Sequence, residues 1–482
     1  MARRDDKRST RRGALKKFGA LGATAALGAL APGETARSED APSRTSARDG
    51  LLAELESRVA ATPMVDTHEH LPDEEERLRG DFIACDDWGL LFSHYIDSDL
   101  ASAGMPGEAL DRLTARGKDP VEKWRLLAPY WPFVKNTGYG RVVRIALKDL
   151  YGIDELDEKA AGRLQAGYES VRKPGFYRKI LVGLAGIESC QVNYLWRPFK
   201  ESRDPTLLTQ DISILGMHSG PDVGGVAGAL GMEAKDLGGF HGAIDAWFEK
   251  YAPYAVAVKC QAAYSRGLDY ERVPAERAEP VFRKIAGGEQ PGLDERRLLD
   301  DHLFWYCVDR ATERGLPVKL HTGYYAGHNG MPLSRVGGNP AQASDLCRKS
   351  PATNFVFMHI AYPYWQDLIA VAKHYTNAHI DMCWAWIIDP AGSKEFLKSY
   401  LAAAPANKVL VFGGDYIPVE CVLGHARMAR RGVARALREL VEDGWLEERD
   451  ALGLVEPLLR GNARRIFRLE DKLARLAKAP WL

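Results

Sequence analysis

Short apolar runs alternate with longer stretches of helical periodicity through most of this 482-residue chain. Apolar runs of about four to eight residues are typical of buried strands, and their alternation with helices indicates βα units around a parallel sheet. The first run ends at His68, and weaker runs lie near 187–193 and 211–215. The clearest runs are residues 254–259, 317–320, 354–358, 379–382 and 408–412.

These runs predict an α/β chain folded as a (β/α)8 TIM-type barrel, an architecture of roughly 250 residues plus insertions. We assign the barrel to residues 61–482. Residues 71–185 show helical periodicity and aromatic clusters without a strand pattern, which predicts a large helical insertion after the first strand. Long Arg/Leu/Glu-rich helices are expected after residue 415, and residues 37–60 are read as a linker and an N-terminal helix.

The N-terminus has the pattern of an export signal. Basic residues crowd the first positions, and Arg11-Arg12 precede a weakly hydrophobic Gly/Ala/Leu run that ends near Ala31. A basic region, an apolar run and small residues in this order predict a Tat-type (twin-arginine) signal peptide over residues 1–36. The mature enzyme is then expected in the periplasm or outside the cell, with the Tat export machinery as a transient partner. The run is too short for a stable membrane span.

Charge and cysteine usage narrow the other partners. The 65 basic residues balance the 65 acidic ones, so no nucleic-acid partner is expected. The seven cysteines show no paired spacing, so neither a disulfide framework nor a zinc finger is indicated, and Cys260 and Cys383 are read as small core residues. A small-molecule substrate and a homo-oligomer are the partners we expect.

Histidines and an aspartate follow several of the predicted strands. His68 and His70 are two residues apart, so their side chains project in the same direction from a strand end. His321, His359 and Asp415 each follow a later apolar run. Any one of them is commonly a hydrogen-bonded core residue, but active sites of these barrels form where the carboxyl ends of the strands meet. Their agreement therefore predicts one shared site.

At this point the sequence resembles the amidohydrolase superfamily, in the branch that includes uronate isomerase-like proteins and metal-dependent decarboxylases. The resemblance runs from about residue 60 to 470 and is weakest over residues 71–185. It rests on Asp66-Thr67-His68-Glu69-His70, on the later strand-end histidines, on Gly413-Gly414-Asp415 and on Asn462-Ala463-Arg464-Arg465.

The resemblance implies a divalent metal ion, most simply one zinc ion rather than two, held by His68, His70, His321 and Asp415. His359 would be a base that polarises a carbonyl, or a ligand if two ions are present. Asp415 and His359 are therefore the expected catalytic residues. A metal ion held by imidazoles and a carboxylate with an open position lowers the pKa of bound water, and Asp415 could move its proton.

Lys259 follows the fourth predicted strand and admits three readings. Members of the superfamily with two metal ions carry a carbamylated lysine there, which would make Lys259 a metal ligand. It could instead contact the substrate, or be an ordinary salt-bridged lysine. Other residues after strand ends are candidates for substrate binding, with packing as the alternative for each: Tyr264, Arg266, Tyr324, His328 and Trp384.

The leading functional hypothesis from the sequence is hydrolysis of a C–N or C–O bond, in an amide, cyclic amide, lactone or ester, by metal-activated water. One alternative keeps the metal and changes the reaction to decarboxylation or uronate-type isomerisation. Another is a barrel that binds a metal or ligand without catalysis.

Overall fold

Eight short parallel strands form the centre of the protein, for which a computed structural model describes residues 44–80 and 85–482. Each strand pairs with the next in chain order, from the first to the eighth. The strands are β1 (Met64–Glu69), β2 (Ile187–Val192), β3 (Leu208–Ser213), β4 (Ala257–Cys260), β5 (Val318–Leu320), β6 (Phe355–Phe357), β7 (Ala378–Asp381) and β8 (Val409–Leu410). Each overlaps an apolar run of the sequence, although β3 begins at Leu208 rather than at residue 211.

Backbone hydrogen bonds between β1 and the chain after β8 close the sheet into a barrel. The amide of Thr67 donates to the carbonyl of Phe412 at 3.1 Å, and the amide of Asp415 donates to the carbonyl of His68 at 2.8 Å. The predicted eight-stranded barrel is thereby confirmed. These bonds also bring Asp415 next to the end of β1, although the two are far apart in sequence.

The chain enters the barrel through helix α1 (Arg44–Ala61), and helices fill the connection from β1 to β2. No strand occurs in that connection among the residues described. The helices are α2 (Glu74–Arg79), α3 (Ile96–Ser102), α4 (Gly107–Thr114), α5 (Pro120–Leu127), α6 (Trp131–Val134), α7 (Gly138–Tyr151), α8 (Glu158–Val171) and α9 (Phe176–Arg178). Arg77 fixes this segment, because its buried guanidinium lies 3.2 Å from Asp86 and 3.0 Å from Glu420.

Helices also cover the outside of the remaining strands. Between β3 and β8 they are α10 (Leu215–His218), α11 (Val223–Gly228), α12 (Leu237–Tyr251), α13 (Ala275–Ala286), α14 (Leu293–Glu313), α15 (Asn339–Lys349), α16 (Trp365–His374), α17 (Ala385–Ile388) and α18 (Pro390–Ala403). After β8 they are α19 (Val419–Glu442), α20 (Glu448–Glu456), α21 (Asn462–Ile466) and α22 (Leu469–Leu476). Within the described part of the chain, no helix has both the length and the apolar character needed to cross a bilayer.

Two further predictions concern the N-terminus and the cysteines. The predicted export signal, residues 1–36, lies outside the described residues. All seven cysteines are buried and free, in agreement with the absence of paired spacing in the sequence.

Candidate metal centre

Two histidines at the end of β1 and the aspartate after β8 form a compact cluster. The Nε2 atoms of His68 and His70 each lie 3.2 Å from Oδ1 of Asp415. All three side chains are buried and offer their ligand atoms within 4.8 Å of one another. Ligand bonds of roughly 2.0–2.2 Å around a tetrahedral zinc ion put neighbouring donor atoms about 3.3 Å apart. The spacing is therefore that of three ligands to one ion.

The hydrogen bonds of the cluster also indicate a cation. Nδ1 of His70 lies 2.8 Å from the backbone carbonyl of Asn193, which can only accept, so this nitrogen carries a proton. In the neutral ring, Nε2 then presents a lone pair toward the Asp415 carboxylate. Burial lowers the pKa of His68 well below its usual value, which favours the neutral form of this ring. Neutral imidazole nitrogens and a carboxylate oxygen are donor atoms that zinc takes in proteins, so a divalent ion fits this arrangement.

Asp415 is held in an ionised state and in an unusual backbone conformation. Although burial opposes its charge, His68, His70 and His359 together hold the pKa of Asp415 well below its usual range. Its φ of 62° lies in the left-handed region that few non-glycine residues adopt. Gly414 precedes it, and a side chain there would overlap the Glu69 carboxylate. The Gly-Gly-Asp sequence is thus explained by close packing of this loop against β1.

His359 and His321 lie beside the cluster, and their ring centroids are 4.4 Å apart. His359 has Nδ1 4.0 Å from Asp415 and 3.0 Å from the carbonyl of Cys383, while its buried Nε2 has no hydrogen-bond partner among the described residues. Burial lowers the pKa of His359 to about 4, so the ring is neutral and Nε2 keeps its lone pair. Nε2 of His321 is instead 2.9 Å from the carbonyl of Tyr324. The structure thus places His321 in the wall of the site rather than in the three-ligand cluster.

Lys259 at the end of β4 is buried in the same site. Its ammonium lies 2.6 Å from the thioether of Met358, which is a weak acceptor, and it forms no ion pair with any described carboxylate. Burial lowers the pKa of Lys259, and Asp415 opposes that effect. Lys319 on the neighbouring strand is the opposite case, because it is 2.8 Å from the buried carboxylate of Asp211. The salt-bridged reading of Lys259 is therefore not supported.

Burial raises the pKa of two carboxyl groups beneath the cluster. Burial raises the pKa of Asp66 to about 6 and that of Asp381 to about 7. Thr67 donates to Asp381 at 2.7 Å, and Asp66 accepts from the amides of His68 and Gly414, each at 3.1 Å. These bonds fix the backbone on both sides of the cluster and orient the ends of β1 and β8.

A cavity of about 490 Å³ opens over the cluster. Its wall includes Lys259, Tyr264, His321 and His359 from the strand ends, all of which the sequence indicated. It also includes His94 and Tyr95 from the chain between β1 and β2, which sequence reasoning missed. They are adjacent residues inside a helical stretch, and neither spacing nor periodicity distinguishes them from the surrounding aromatics.

Tyr95 is the most informative of the missed residues. Its ring stacks on Trp384 with centroids 4.6 Å apart and on Tyr139 at 5.4 Å. Burial and the neighbouring Asp415 carboxylate raise the pKa of Tyr95 well above its usual value, so the phenol is protonated. The site thus contains a neutral imidazole with a free lone pair and a protonated phenol, both near the Asp415 carboxylate.

Four predicted substrate-binding residues lie elsewhere. The guanidinium of Arg266 is 2.6 Å from Asp301 and stacks on Tyr270, so it is engaged outside the cavity. His328 is exposed. Tyr324 and Trp384 contact residues of the cavity wall. Tyr324 provides the carbonyl that His321 contacts, and the centroid of the Trp384 ring lies 5.4 Å from that of His359. Of the five candidates, only Tyr264 lines the cavity.

Comparison with known proteins gives consistent matches. The amidohydrolase family model matches residues 210–469, more than half of the chain. The uronate isomerase of Cutibacterium acnes is 22% identical over 476 residues, covering 89% of this chain and 99% of that protein. Protein fluG of Emericella nidulans is 24% identical over 232 residues, which are 46% of this chain and only 26% of fluG.

The structural comparison agrees. The crystal structure of glucuronate isomerase from Caulobacter crescentus superposes with a TM-score of 0.71 at 15% identity, covering 89% of this chain and 96% of that one. At this identity the likeness establishes the shared fold.

Proposed function

The chain belongs to the amidohydrolase family, and we propose that it is a metal-dependent aldose–ketose isomerase acting on a sugar acid. The sequence suggested uronate-type isomerisation as one alternative to hydrolysis. The observation that carries it is the pairing, in one cavity, of a three-ligand cluster with a buried ammonium that has no carboxylate partner among the described residues. The near full-length similarity to a uronate isomerase supports the same reaction.

The cluster would hold one divalent ion, most simply zinc, through His68, His70 and Asp415. When bound, such an ion supplies Lewis-acid polarisation of a substrate oxygen. The chain's own residues first fix the positions of the ligands. The carbonyl of Asn193 holds the ring of His70, and the left-handed backbone conformation of Asp415 after Gly414 directs its side chain.

Proton transfer is assigned to His359 and Tyr95. Aldose–ketose isomerisation moves a proton from C2 to C1 and another between the two oxygens. His359, whose Nε2 has a free lone pair, can take the proton from C2 and return it to C1. The Tyr95 phenol beside Asp415 can give its proton to O1 and take the proton of the O2 hydroxyl, so both residues end as they began. Trp384 and Tyr139 stack behind Tyr95 and shield it from water, which keeps transferred protons within the site.

Lys259 is proposed to bind the substrate carboxylate. A sugar acid brings one negative charge into the cavity, and Lys259 is the lysine in its wall. The Lys259 ammonium would gain in the complex the charged partner that it lacks in the free protein. A neutral aldose would offer no such compensation, so the cavity should favour the acid.

The experiment is incubation of the zinc-loaded protein with D-glucuronate in H2(18)O, followed by NMR and mass spectrometry. The proposal is supported if the aldose is converted to the ketose and no bond of the substrate is hydrolysed by the labelled water. Asp415→Asn should abolish the conversion, whereas Asp345→Asn, a change at an exposed aspartate on α15, should not. Absence of conversion by zinc-, manganese- and cobalt-loaded wild-type protein would contradict it.

Hydrolysis of a C–N or C–O bond is the second candidate. The ionised carboxylate of Asp415 and the neutral imidazole of His359 favour hydrolysis, because either group can remove a proton from water. Incorporation of labelled oxygen from water into the product of a lactone or amide substrate would identify this activity instead.

We also propose export through the twin-arginine route. The support is the Arg11-Arg12 pair ahead of the weakly apolar run. Fractionation of cells that express the tagged chain should find it outside the cytoplasm. Replacing both arginines by lysine should retain it inside, and an unchanged distribution would contradict the assignment.

A further inference from the structure

A second cavity, of about 590 Å³, lies on the outer side of the helices that cover β7 and β8. It is formed between α7, the start of α18 and the middle of α19, and Leu52 of α1 contributes to one side. None of its residues belongs to the wall of the cavity over the metal cluster. It is therefore a separate site.

Cationic side chains dominate its rim. Lys394 and Arg438 are ion-paired, since Lys394 lies 2.6 Å from Glu439 and Arg438 lies 2.9 Å from Glu442. The other three cations are Arg141, Arg431 and Arg435. Among the residues described, the side chains of these three arginines form no hydrogen bond, ion pair or ring contact. Three guanidinium groups at one cavity without an acidic partner leave an uncompensated positive charge.

The floor of the cavity is apolar and rigid. Trp386 lies there with Leu52, Met428 and Pro390. The indole nitrogen of Trp386 donates to the carbonyl of Val411 at 2.8 Å, so its polar atom is satisfied within the protein. A side chain at position 432 would overlap the six-membered ring of Trp386, so the glycine there lets the indole pack against the backbone of α19.

These features define the chemistry of a ligand. Guanidinium groups bind phosphate oxygens in pairs of parallel hydrogen bonds, and three of them match a doubly charged phosphate better than a single carboxylate. The aliphatic side chains of Leu52, Met428 and Pro390, beneath which Trp386 is buried, suit an apolar body attached to that phosphate. The volume lies within the range of small-molecule sites.

We propose that this cavity binds a phosphate monoester of an apolar alcohol, with the phosphate on Arg141, Arg431 and Arg435 and the apolar body on Leu52 and Met428. The assignment does not depend on the reaction at the metal centre, because the two cavities share no residue. Its test measures binding rather than activity, so its outcome is independent of the proposed isomerase function.

The test is isothermal titration calorimetry of the full-length protein with phenyl phosphate at low ionic strength. Saturable binding of one equivalent is expected, with affinity falling as sodium chloride is added. Arg431→Gln and Arg435→Gln should each weaken binding about tenfold, since a hydrogen bond to a charged group contributes roughly that factor. Inorganic phosphate, which lacks the apolar body, should bind at least about tenfold more weakly than phenyl phosphate.

Arg427→Gln is the matched control. Arg427 is on the same helix, one turn before Arg431, but it lies 3.5 Å from Asp149 and outside the cavity. Its replacement should leave the affinity unchanged. The proposal is overturned if phenyl phosphate shows no saturable binding or if Arg427→Gln weakens it as much as Arg431→Gln. It is also overturned if binding survives the double Arg431→Gln, Arg435→Gln variant, or if inorganic phosphate binds equally tightly.

Discussion

Replacing Lys259 by methionine should make the protein more stable and the enzyme less active. Lys259 is buried beside the metal cluster, and the one hydrogen-bond acceptor of its ammonium among the described residues is the Met358 thioether, a weak acceptor. Methionine has a similar length and no charge, so it should fill the same space without a polar group to desolvate. The substrate carboxylate would then lose its proposed partner.

The two effects can be estimated separately. A buried polar group without a good partner costs roughly 1–3 kcal/mol, so the free energy of unfolding should rise by about that amount. A hydrogen bond between charged groups contributes roughly 1.5–3 kcal/mol, and every 1.4 kcal/mol is tenfold. The value of kcat/KM for a uronate should therefore fall about 10- to 150-fold, mainly through KM.

Lys319→Met is the matched control on the adjacent strand. Lys319 is equally buried, but it is 2.8 Å from Asp211 and 2.6 Å from the carbonyl of Thr67. Its removal leaves Asp211 as a buried carboxylate without a counter-charge, which should cost roughly 3–5 kcal/mol of stability. Two lysines on neighbouring strands are thus expected to respond with opposite signs.

The assay combines urea unfolding, steady-state kinetics and metal analysis of both variants and the wild type. If Lys259→Met destabilises the protein as Lys319→Met does, Lys259 is not an unpaired ammonium and the reasoning fails. A fall in bound metal from two ions to one would identify the carbamylated lysine considered from the sequence. Unchanged kcat/KM with increased stability would refute the substrate contact alone.

Three further outcomes are expected. Removing metal with EDTA should abolish activity. It should also lower the free energy of unfolding by about 2.7 kcal/mol, relative to protein in free metal at 100 times the Kd. Activity that survives dialysis against EDTA would contradict a metal centre. Tyr95→Phe should reduce kcat about 10²- to 10⁴-fold with little change in KM, whereas Tyr139→Phe behind it should not, as steady-state kinetics would reveal. Burial lowers the pKa of His379 to about 3, against about 6.5 in the unfolded chain, so its stabilising effect is complete above pH 6.5 and is lost as pH falls toward 3. His379→Gln should therefore reduce the loss of stability between pH 7 and pH 5 by about 2 kcal/mol in urea titrations, and an identical pH dependence would contradict this.

Much of the barrel could be predicted because parallel strands buried on both faces are short, apolar and bounded by polar residues. Strand ends converge on one rim, so the sequence alone predicts that His68, His70 and Asp415 belong to one site. The start of β3 was harder to predict, because its polar Thr209, Gln210 and Asp211 are buried and interrupt the apolar pattern.

The rest of the site depended on tertiary contacts that no local pattern records. Tyr95 reaches the cluster because the chain after β1 folds back over the barrel mouth, where its ring stacks on Trp384. Arg266 looked available to a substrate, yet Asp301 on α14 engages it from outside the cavity. Both outcomes depend on how helices pack on the barrel, and helical periodicity gives the buried face of a helix but not its neighbour.

Backbone strain at the rim argues that this arrangement serves binding or catalysis rather than stability. His359, Trp384 and Asp415 all have positive φ, at 61°, 65° and 62°. Such conformations cost of order 1–3 kcal/mol each in non-glycine residues, and they persist where the surrounding structure over-determines them. Glycine would adopt them without that cost. Three strained residues and a lysine without an ion-pair partner among the described residues therefore lie in or beside one cavity, as expected of a site that gives up stability for a reactive geometry.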